Sequence, residues 1–466
     1  MRSRLELLPE LALAVLVLVS LTPGRADATV VGTIFSGPTS DDPLTVYWNP
    51  AAMTLAPGTR AQLYSGATLI SMSYDRHDVG TGERYPRADQ LVAKPEIAFG
   101  FITDLGTDRL RAGLSFATPV LDGVRWDTEY GGQPSSTRYY AIEGHQAHMF
   151  IRPAVAYRVH PKISIGVGLD IIGIWLRSDA MVDLGAMLNQ AACRMNEWGC
   201  SVDAPLPRED PAYAGRLAVD AVGWGVGVAG GVHAVPWPWL RLGLSAASGG
   251  REIDVPVRFD VQVPEAARAF VRDNLPSLGL PPLNAEASVG VYSPMMVTAG
   301  VMLLPTARIR LAADLHWIQK SRMSVTMIQI LQSSSDLITD QVKVAVVRDA
   351  FTAGLRGSYL LRPNLAAALR AEYTSNTMPE RFTTPVSLDF AKVNLQAGLD
   401  WRLTRWLGVV LEYTHTILVP RTIAQSAFAP NADPRTPEQA SLDRPYPTGR
   451  YRGLAAKLTV GVTLTF

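Results

Sequence analysis

From about residue 60 to the C-terminus, apolar and polar side chains alternate along the chain. Residues 453–466 show the pattern cleanly. Leu454, Ala456, Leu458, Val460, Val462, Leu464 and Phe466 fall on one side of an extended chain; Gly453, Ala455, Lys457, Thr459, Gly461, Thr463 and Thr465 fall on the other. A period of two predicts a strand, not a helix. The run exceeds the ~5–6 residues of a typical globular strand and suffices for the roughly 9–11 that cross a bilayer on a tilt. An aliphatic face opposite a face of Thr, Gly and Lys predicts the wall of a transmembrane barrel, lipid outside and lumen inside. The alternation recurs in Ile163, Ile165, Val167, Leu169 and Ile171, in Ile309, Leu311, Ala313, Leu315 and Trp317, and in Val393, Leu395, Ala397, Leu399 and Trp401.

Two kinds of connection join these runs. Short turns fall at 105–108, 159–162, 235–238, 305–308, 362–364 and 404–406. Long polar stretches at 77–92, 120–138, 178–218, 262–286, 325–344, 376–388 and 420–450 read as loops. The two kinds alternate, as tight periplasmic turns and long external loops do in an outer-membrane barrel. Six turns and seven loops imply fourteen strands, and an even number returns both ends to one side of a closed antiparallel sheet. The fold class is therefore all-β, a 14-stranded antiparallel transmembrane β-barrel over residues 60–466. Asp170, Arg310, Asp314, Arg370, Glu372, Asp400, Arg402, Glu412 and Lys457 keep to the lumen phase, where opposite charges meet each other or water. On the lipid phase a cation near the midplane would cost roughly 2–4 kcal/mol. Trp239, Trp317, Tyr373, Trp401, Trp406 and Tyr413 lie near strand ends, as interfacial girdles do.

Composition narrows the class without adding chemistry. With 47% hydrophobic residues and mean hydropathy +0.10, the chain is too polar for a helical membrane bundle. A net charge of +1 gives no sign of a nucleic-acid partner. Residues 1–28 read as a cleaved export signal: Arg2 and Arg4, the apolar run 11–21, then Ala26-Asp27-Ala28. Residues 29–59 lack strand periodicity and are rich in Pro, Gly and Asp. Cys193 and Cys200, the two cysteines, are expected to form a structural disulfide in an oxidising compartment; their spacing suits a metal site poorly.

No catalytic or cofactor motif survives its context. Gly225-Val226-Gly227-Val228-Ala229-Gly230 matches a dinucleotide fingerprint, but lies inside an alternating strand instead of opening a helix. These glycines are expected to make room for a plug. His145 and His148 are three apart in a strand and point to opposite faces, so a shared metal ion is not expected. No cofactor and no metal are implied.

Asn49-Pro50-Ala51 stands in the segment WNPAAMT just before the first strand. With fourteen strands behind it, this element resembles the start of the FadL/TodX family of outer-membrane hydrophobic-compound transporters. IRPAVAYRV and KISIGVGL (151–159 and 162–169), WLRLGLS (239–245) and the terminal Phe466 resemble further family elements in the same order. The resemblance implies a monomeric barrel with an N-terminal hatch, here residues 29–59 with Asn49, Pro50 and Ala51. It implies ligand capture by the third and fourth external loops, mapped to Met181, Leu184, Met187 and Leu188 and to Ala266, Phe270, Leu275 and Leu278. It also implies lateral release into lipid where the third strand kinks, mapped to Pro119 and Gly123; proline cannot donate to a sheet ladder. Expected partners are a hydrophobic small molecule, outer-membrane lipid and, through Phe466, the barrel-assembly machinery. The expected function is passive transport of long-chain fatty acids or aromatic hydrocarbons, without enzymatic chemistry. A general polar porin and an outer-membrane lipid hydrolase are the alternatives; sugar swelling and phospholipid turnover would reveal them.

Overall fold

A computed structural model of the chain describes residues 31–77, 82–130, 133–140, 142–185, 188–189, 206–207, 209–249, 252–276, 283–333, 341–344, 347–385, 388–426 and 447–466. The wall is a closed antiparallel barrel of fourteen strands. They are β1 (Arg60–Arg76), β2 (Ala88–Thr103), β3 (Leu110–Arg125), β4 (Glu143–His160), β5 (Ile163–Asp183) and β6 (Ala214–Trp237). Next come four strands in two pieces each: β7 (Leu240–Ala247, Ile253–Gln262), β8 (Leu283–Val291, Met296–Thr306), β9 (Ile309–Ile318, Val325–Ser333) and β10 (Gln341–Val344, Ala350–Arg362). β11 (Leu365–Thr374), β12 (Lys392–Arg402), β13 (Leu407–Leu418) and β14 (Gly449–Thr465) complete the ring. Closure is a ladder from Arg60↔Thr465 to Arg76↔Gly449, so the first and last strands share an edge and neither is left open.

The alternation read in the sequence is the alternation of the wall. Leu63, Leu69, Leu355, Leu369, Leu399, Leu411, Leu458 and Val460 are exposed on the outer face. Such a continuous apolar surface is untenable in water and natural in lipid. Tyr64, Asp170, Asp314, Arg370, Glu372, Glu412 and Lys457 are buried on the inner face. All six short turns lie where the sequence places them.

The upper wall departs from the expectation. The stretch 325–344 reads as a polar loop, yet it carries the upper pieces of β9 and β10. In β7 to β10 the described pieces end and resume at one level, at Ala247 and Ile253, Val291 and Met296, Ile318 and Val325, and Val344 and Ala350. Above that level their upper pieces form a second tier that continues the long strand β6 through Val257↔Ala221 to Gln262↔Arg216. This tier lies beyond the apolar band, so nothing requires one of its faces to be lipid-compatible, and its sequence lacks the barrel signature.

Residues 31–59 lie inside the barrel. α1 (Thr45–Trp48) and the 3-10 turn Pro50–Leu55 form the compact part, and its residues are almost wholly buried. Val46, Met53 and Ala56 pack against Ile102, Ala154 and Ala156 of β2 and β4. Leu44, Tyr47 and Trp48 pack against Tyr64, Ala98 and Ala117 of β1, β2 and β3.

Candidate functional site

Three arrangements lie between the outside and the membrane: a seated hatch, an unladdered patch in the wall, and an apolar core under the external loops. The hatch is fixed from two sides. Asn49 Nδ2 donates to the carbonyls of Pro38 (3.2 Å) and Val232 (3.1 Å), and its Oδ1 accepts the Ala51 N–H (3.1 Å). Trp48 Nε1 donates to the Val31 carbonyl at 2.8 Å. Under α1, Arg152 of β4 pairs with Asp170 of β5 at 2.5 and 2.9 Å and donates to the Tyr47 carbonyl. Across the lumen, Arg356 of β10 donates to the carbonyls of Ile34 (3.0 Å) and Ser36 (3.1 Å), while Glu412 of β13 accepts the Ile34 N–H at 2.6 Å. Strand glycines allow this approach. A Cβ on Gly231 would stand 2.2 Å from Asn49 Oδ1, and one on Gly166 would stand 2.4 Å from the Ala51 nitrogen.

The patch lies between β2 and β3. Their ladder runs from Thr103↔Ala112 to Ala98↔Ala117, and Thr118 Oγ1 then donates to the Ile97 carbonyl at 3.2 Å. Above this no ladder pair joins them among the described residues. They meet again where the Arg125 N–H donates to Gln90 Oε1 (3.1 Å) and the Asp127 N–H to the Asp89 carbonyl (3.0 Å). On its other side β3 stays paired with β4, but the register slips from Ala117↔Phe150 to Val120↔His148. One extra residue, at Thr118-Pro119, makes this a bulge, which bends the strand. Pro95 completes the cause on β2. The Ile97 and Asp89 carbonyls both turn towards β3, and alternate residues face the same neighbour. Pro95 therefore faces the patch and has no N–H to offer it.

The apolar core lies under loops 3 and 4. Leu184, Leu188 and Leu206 of loop 3 join Ala267, Val271 and Leu275 of α2 (Glu265–Asn274) and its end, over the inner face of the upper tier at Val255, Val257, Phe259, Ala287 and Val289. Phe270 lies partly exposed at the edge of this core, its ring edge-on to Tyr213 at 6.1 Å. A clasp closes the neighbouring rim: Arg76 at the top of β1 pairs with Glu209 of loop 3 at 2.7 Å and donates to the Ser136 carbonyl of loop 2 at 3.1 Å. An outer concavity of about 1100 Å³ beside Leu311, Leu369, Leu411 and Tyr413 involves the lipid-facing rows and is not on this path.

The family model for outer membrane transport proteins (OMPP1/FadL/TodX) matches residues 25–440. The chain belongs to that family. Among solved structures, it is similar to a Pseudomonas aeruginosa FadL homologue at 16% identity and TM-score 0.74, covering 95% of this chain and 98% of that one. The P. putida toluene transporter TodX follows at 14% identity and TM-score 0.63, over 92% and 98%. The Ralstonia pickettii toluene transporter TbuX has 14% identity and TM-score 0.60, over 92% and 98%. At these identities the structures show a shared fold. No curated relative matches by sequence.

For a member of the OMPP1/FadL/TodX family, most residues singled out from the sequence fall in these three places. Asn49, Pro50 and Ala51 lie in the hatch. Pro119 lies in the β3 bulge, and Gly123 above it, where a Cβ would stand 2.7 Å from His145 Nδ1. Leu184, Leu188, Leu275 and Phe270 share one apolar core, but Ala266 is exposed on α2 while its neighbour Ala267 is buried. Met181 is a correction: it belongs to strand β5, not to the loop read at 178–218, and opposes Arg216 on the outer face. Met187, Leu278, Cys193 and Cys200 lie outside the described residues. His145 stacks near Trp175 outside, while His148 is buried beside Gln146. The glycines of 225–230 need another correction, because Gly231 and Gly166, not Gly225, make room for the hatch. Pro95, Arg152 and Leu206 were missed, while Asp170 was read as a lumen charge but not as a support of the hatch. Only Pro95 carried a sequence signal, a proline inside an alternating strand.

Proposed function

We propose that this outer-membrane transport protein is a passive channel for hydrophobic small molecules, long-chain fatty acids or aromatic hydrocarbons. Loops 3 and 4 capture the solute, and the β2–β3 patch releases it sideways into the membrane. The observation that carries the reading is the pairing of Pro95 and Pro119 on the two edges of that patch. An open sheet edge facing hydrocarbon is costly, so a proline directed at it from β2, beside a proline bulge in β3, needs a use. An aromatic solute burying about 200 Å² of apolar surface gains roughly 5 kcal/mol at ~25 cal/mol per Å². That is enough for capture and weak enough for onward release. Lateral exit then spares the solute a return to water. The names of the similar structures, toluene transporters and a FadL homologue, support a hydrophobe and favour neither ligand class.

Under this reading the hatch closes the lumen and shifts to open it. Residues 1–28 are a cleaved signal, the protein works as a monomer, and Phe466 addresses the assembly machinery. The test is purified protein in liposomes, offered a fatty acid and a monoaromatic probe beside a series of sugars. Hydrophobe uptake without sugar-driven swelling supports the proposal. Swelling at porin-like rates, or phospholipid turnover abolished by a single Ser or His change, rejects it in favour of a porin or a hydrolase.

A further inference from the structure

The wall is interrupted a second time, with the same chemical cause. β6 and β7 are laddered below from Trp237↔Leu240 to Ala229↔Ala247, and above from Ala221↔Val257 to Gln262↔Arg216. Between these stretches, residues 222–227 of β6 keep their ladder with β5. Towards β7 they have no ladder partner among the described residues. In continued register their partners would include residues 253–256, which are strand but pair with β8 instead, from Ile253↔Val291 to Pro256↔Ser288. The Ser248 N–H donates to the Val228 carbonyl at 2.8 Å, and the Val228 N–H to Ser248 Oγ at 3.0 Å. Even-numbered residues of β6 therefore turn their backbone groups towards β7. The next pair down from Ala221↔Val257 would set Val222 against Pro256, where the ladder calls for an N–H that proline lacks. The ladder stops there.

Side chains close this seam where hydrogen bonds do not. A Cβ on Gly223 would stand 2.6 Å from Val255 Cγ2, and one on Gly225 would stand 2.4 Å from Ile253 Cδ1. Ile253 and Val255 thus lie across the inner face of two glycines, and both belong to the core under loops 3 and 4. On the outer face Val222, Trp224, Val226 and Val228 are each more than half exposed. Above them the same face turns polar at Asp220 and Arg216. The seam therefore sits at the outer edge of the apolar band, with lipid on one side and the loop core on the other.

We infer that the β6–β7 seam is a second lateral opening, through which neutral apolar solutes already dissolved in the outer leaflet enter the loop 3–loop 4 core. Displacing two aliphatic side chains opens it, with no ladder to break. Ile253, Val255, Val222 and Val226 offer apolar contact, and Asp254, exposed on the outer face of β7, disfavours an anion, so the class admitted is an uncharged hydrophobe. The inference rests on the transport reading for the direction of travel alone; the opening itself is tested without transport.

The test uses the full chain in liposomes, with Cys193→Ser and Cys200→Ser as background and a maleimide carried on a membrane-dissolved acyl chain. Ile253→Cys should label at least ten-fold faster than Val289→Cys, a fully buried core position on β8. Adding Pro256→Val, which restores the missing donor, should slow that labelling at least five-fold. Hydrogen exchange in detergent gives a thiol-free reading: the Trp224 and Val226 amides should exchange fast and become protected by Pro256→Val. Equal labelling at the two positions, or labelling and exchange unmoved by Pro256→Val, overturns the inference. Where labelling follows the expectation but even the wild-type chain moves no hydrophobe, the opening stands and the transport reading falls.

Discussion

Asn49 is the hatch residue whose seating can be weighed bond by bond. Asn49→Ala removes its hydrogen bonds to Pro38, Val232 and Ala51. At about 0.5–1.5 kcal/mol each, the loss is roughly 2–4 kcal/mol of hatch docking. Gly231→Ala reaches the same end from the wall, because its methyl would stand 2.2 Å from Asn49 Oδ1. β6 cannot retreat there, being laddered on both sides through Gly166↔Gly231 and Gly231↔Ser245. The amide must leave, forfeiting the same bonds. In the double variant the amide is already gone and the methyl keeps its 3.0 Å contact with the Leu244 carbonyl, so the two changes couple by roughly 2–4 kcal/mol. Hydrogen exchange of the amides in 49–56, measured on purified wild-type, single and double variants, reads the docking free energy directly. Effects that add within about 0.5 kcal/mol would refute the proposed contact and with it the account of why glycine stands at 231.

Further expectations concern separate parts of the molecule. Asp170→Asn strands Arg152 beneath α1 without a charged partner; breaking a buried pair costs about 3–5 kcal/mol, read as hatch release in urea before the barrel unfolds. Leu275→Ala in the loop core should cost about 2–5 kcal/mol locally and weaken capture of a hydrophobe by at least ten-fold in equilibrium binding, with sugar exclusion unchanged. Asp104, in the turn after β2, accepts the N–H groups of Gly106 (3.0 Å) and Gly58 (2.8 Å), which hold its pKa below the ordinary 3.8. A lowered carboxylate stabilises fully above that ordinary value and loses its contribution as pH falls through the lowered one. Exchange protection at Gly58 should therefore hold from pH 7 to about 4 and then decline, with Asp104→Asn showing no such step.

How much the sequence revealed depended on whether lipid constrains a segment. The barrel strands were legible because hydrocarbon favours the alternation of Leu454, Leu458 and Val460 against Lys457 and Thr459. Five of the six short turns were legible because Gly, Pro or Asn interrupts that alternation; Thr404-Arg405-Trp406 does so by its polarity. The upper pieces of β9 and β10 were not, since above the membrane no face needs to be apolar, and Val325–Ser333 reads as polar loop. Met181 was misplaced for the same reason: RSDAMVD continues β5 in water, where charge no longer excludes strand. Pro95 and Pro256 were visible as letters, but their meaning depends on which neighbour each faces, and only register fixes that. The loop core needed three dimensions, because Leu188, Leu206, Val271 and Val289 meet from four separate segments.

Everything proposed for function converges on the β2–β3 patch. The direct test is to close it: delete Pro119 to remove the extra residue of the bulge, and introduce Pro95→Val to restore the missing donor. Hydrophobe uptake by liposomes holding this variant is then compared with wild type, after gel mobility and hatch exchange show both to be folded. The account predicts capture at unchanged affinity with uptake reduced at least ten-fold. Uptake undiminished through a closed patch would show that solutes leave by another route, and lateral release between these strands would be wrong.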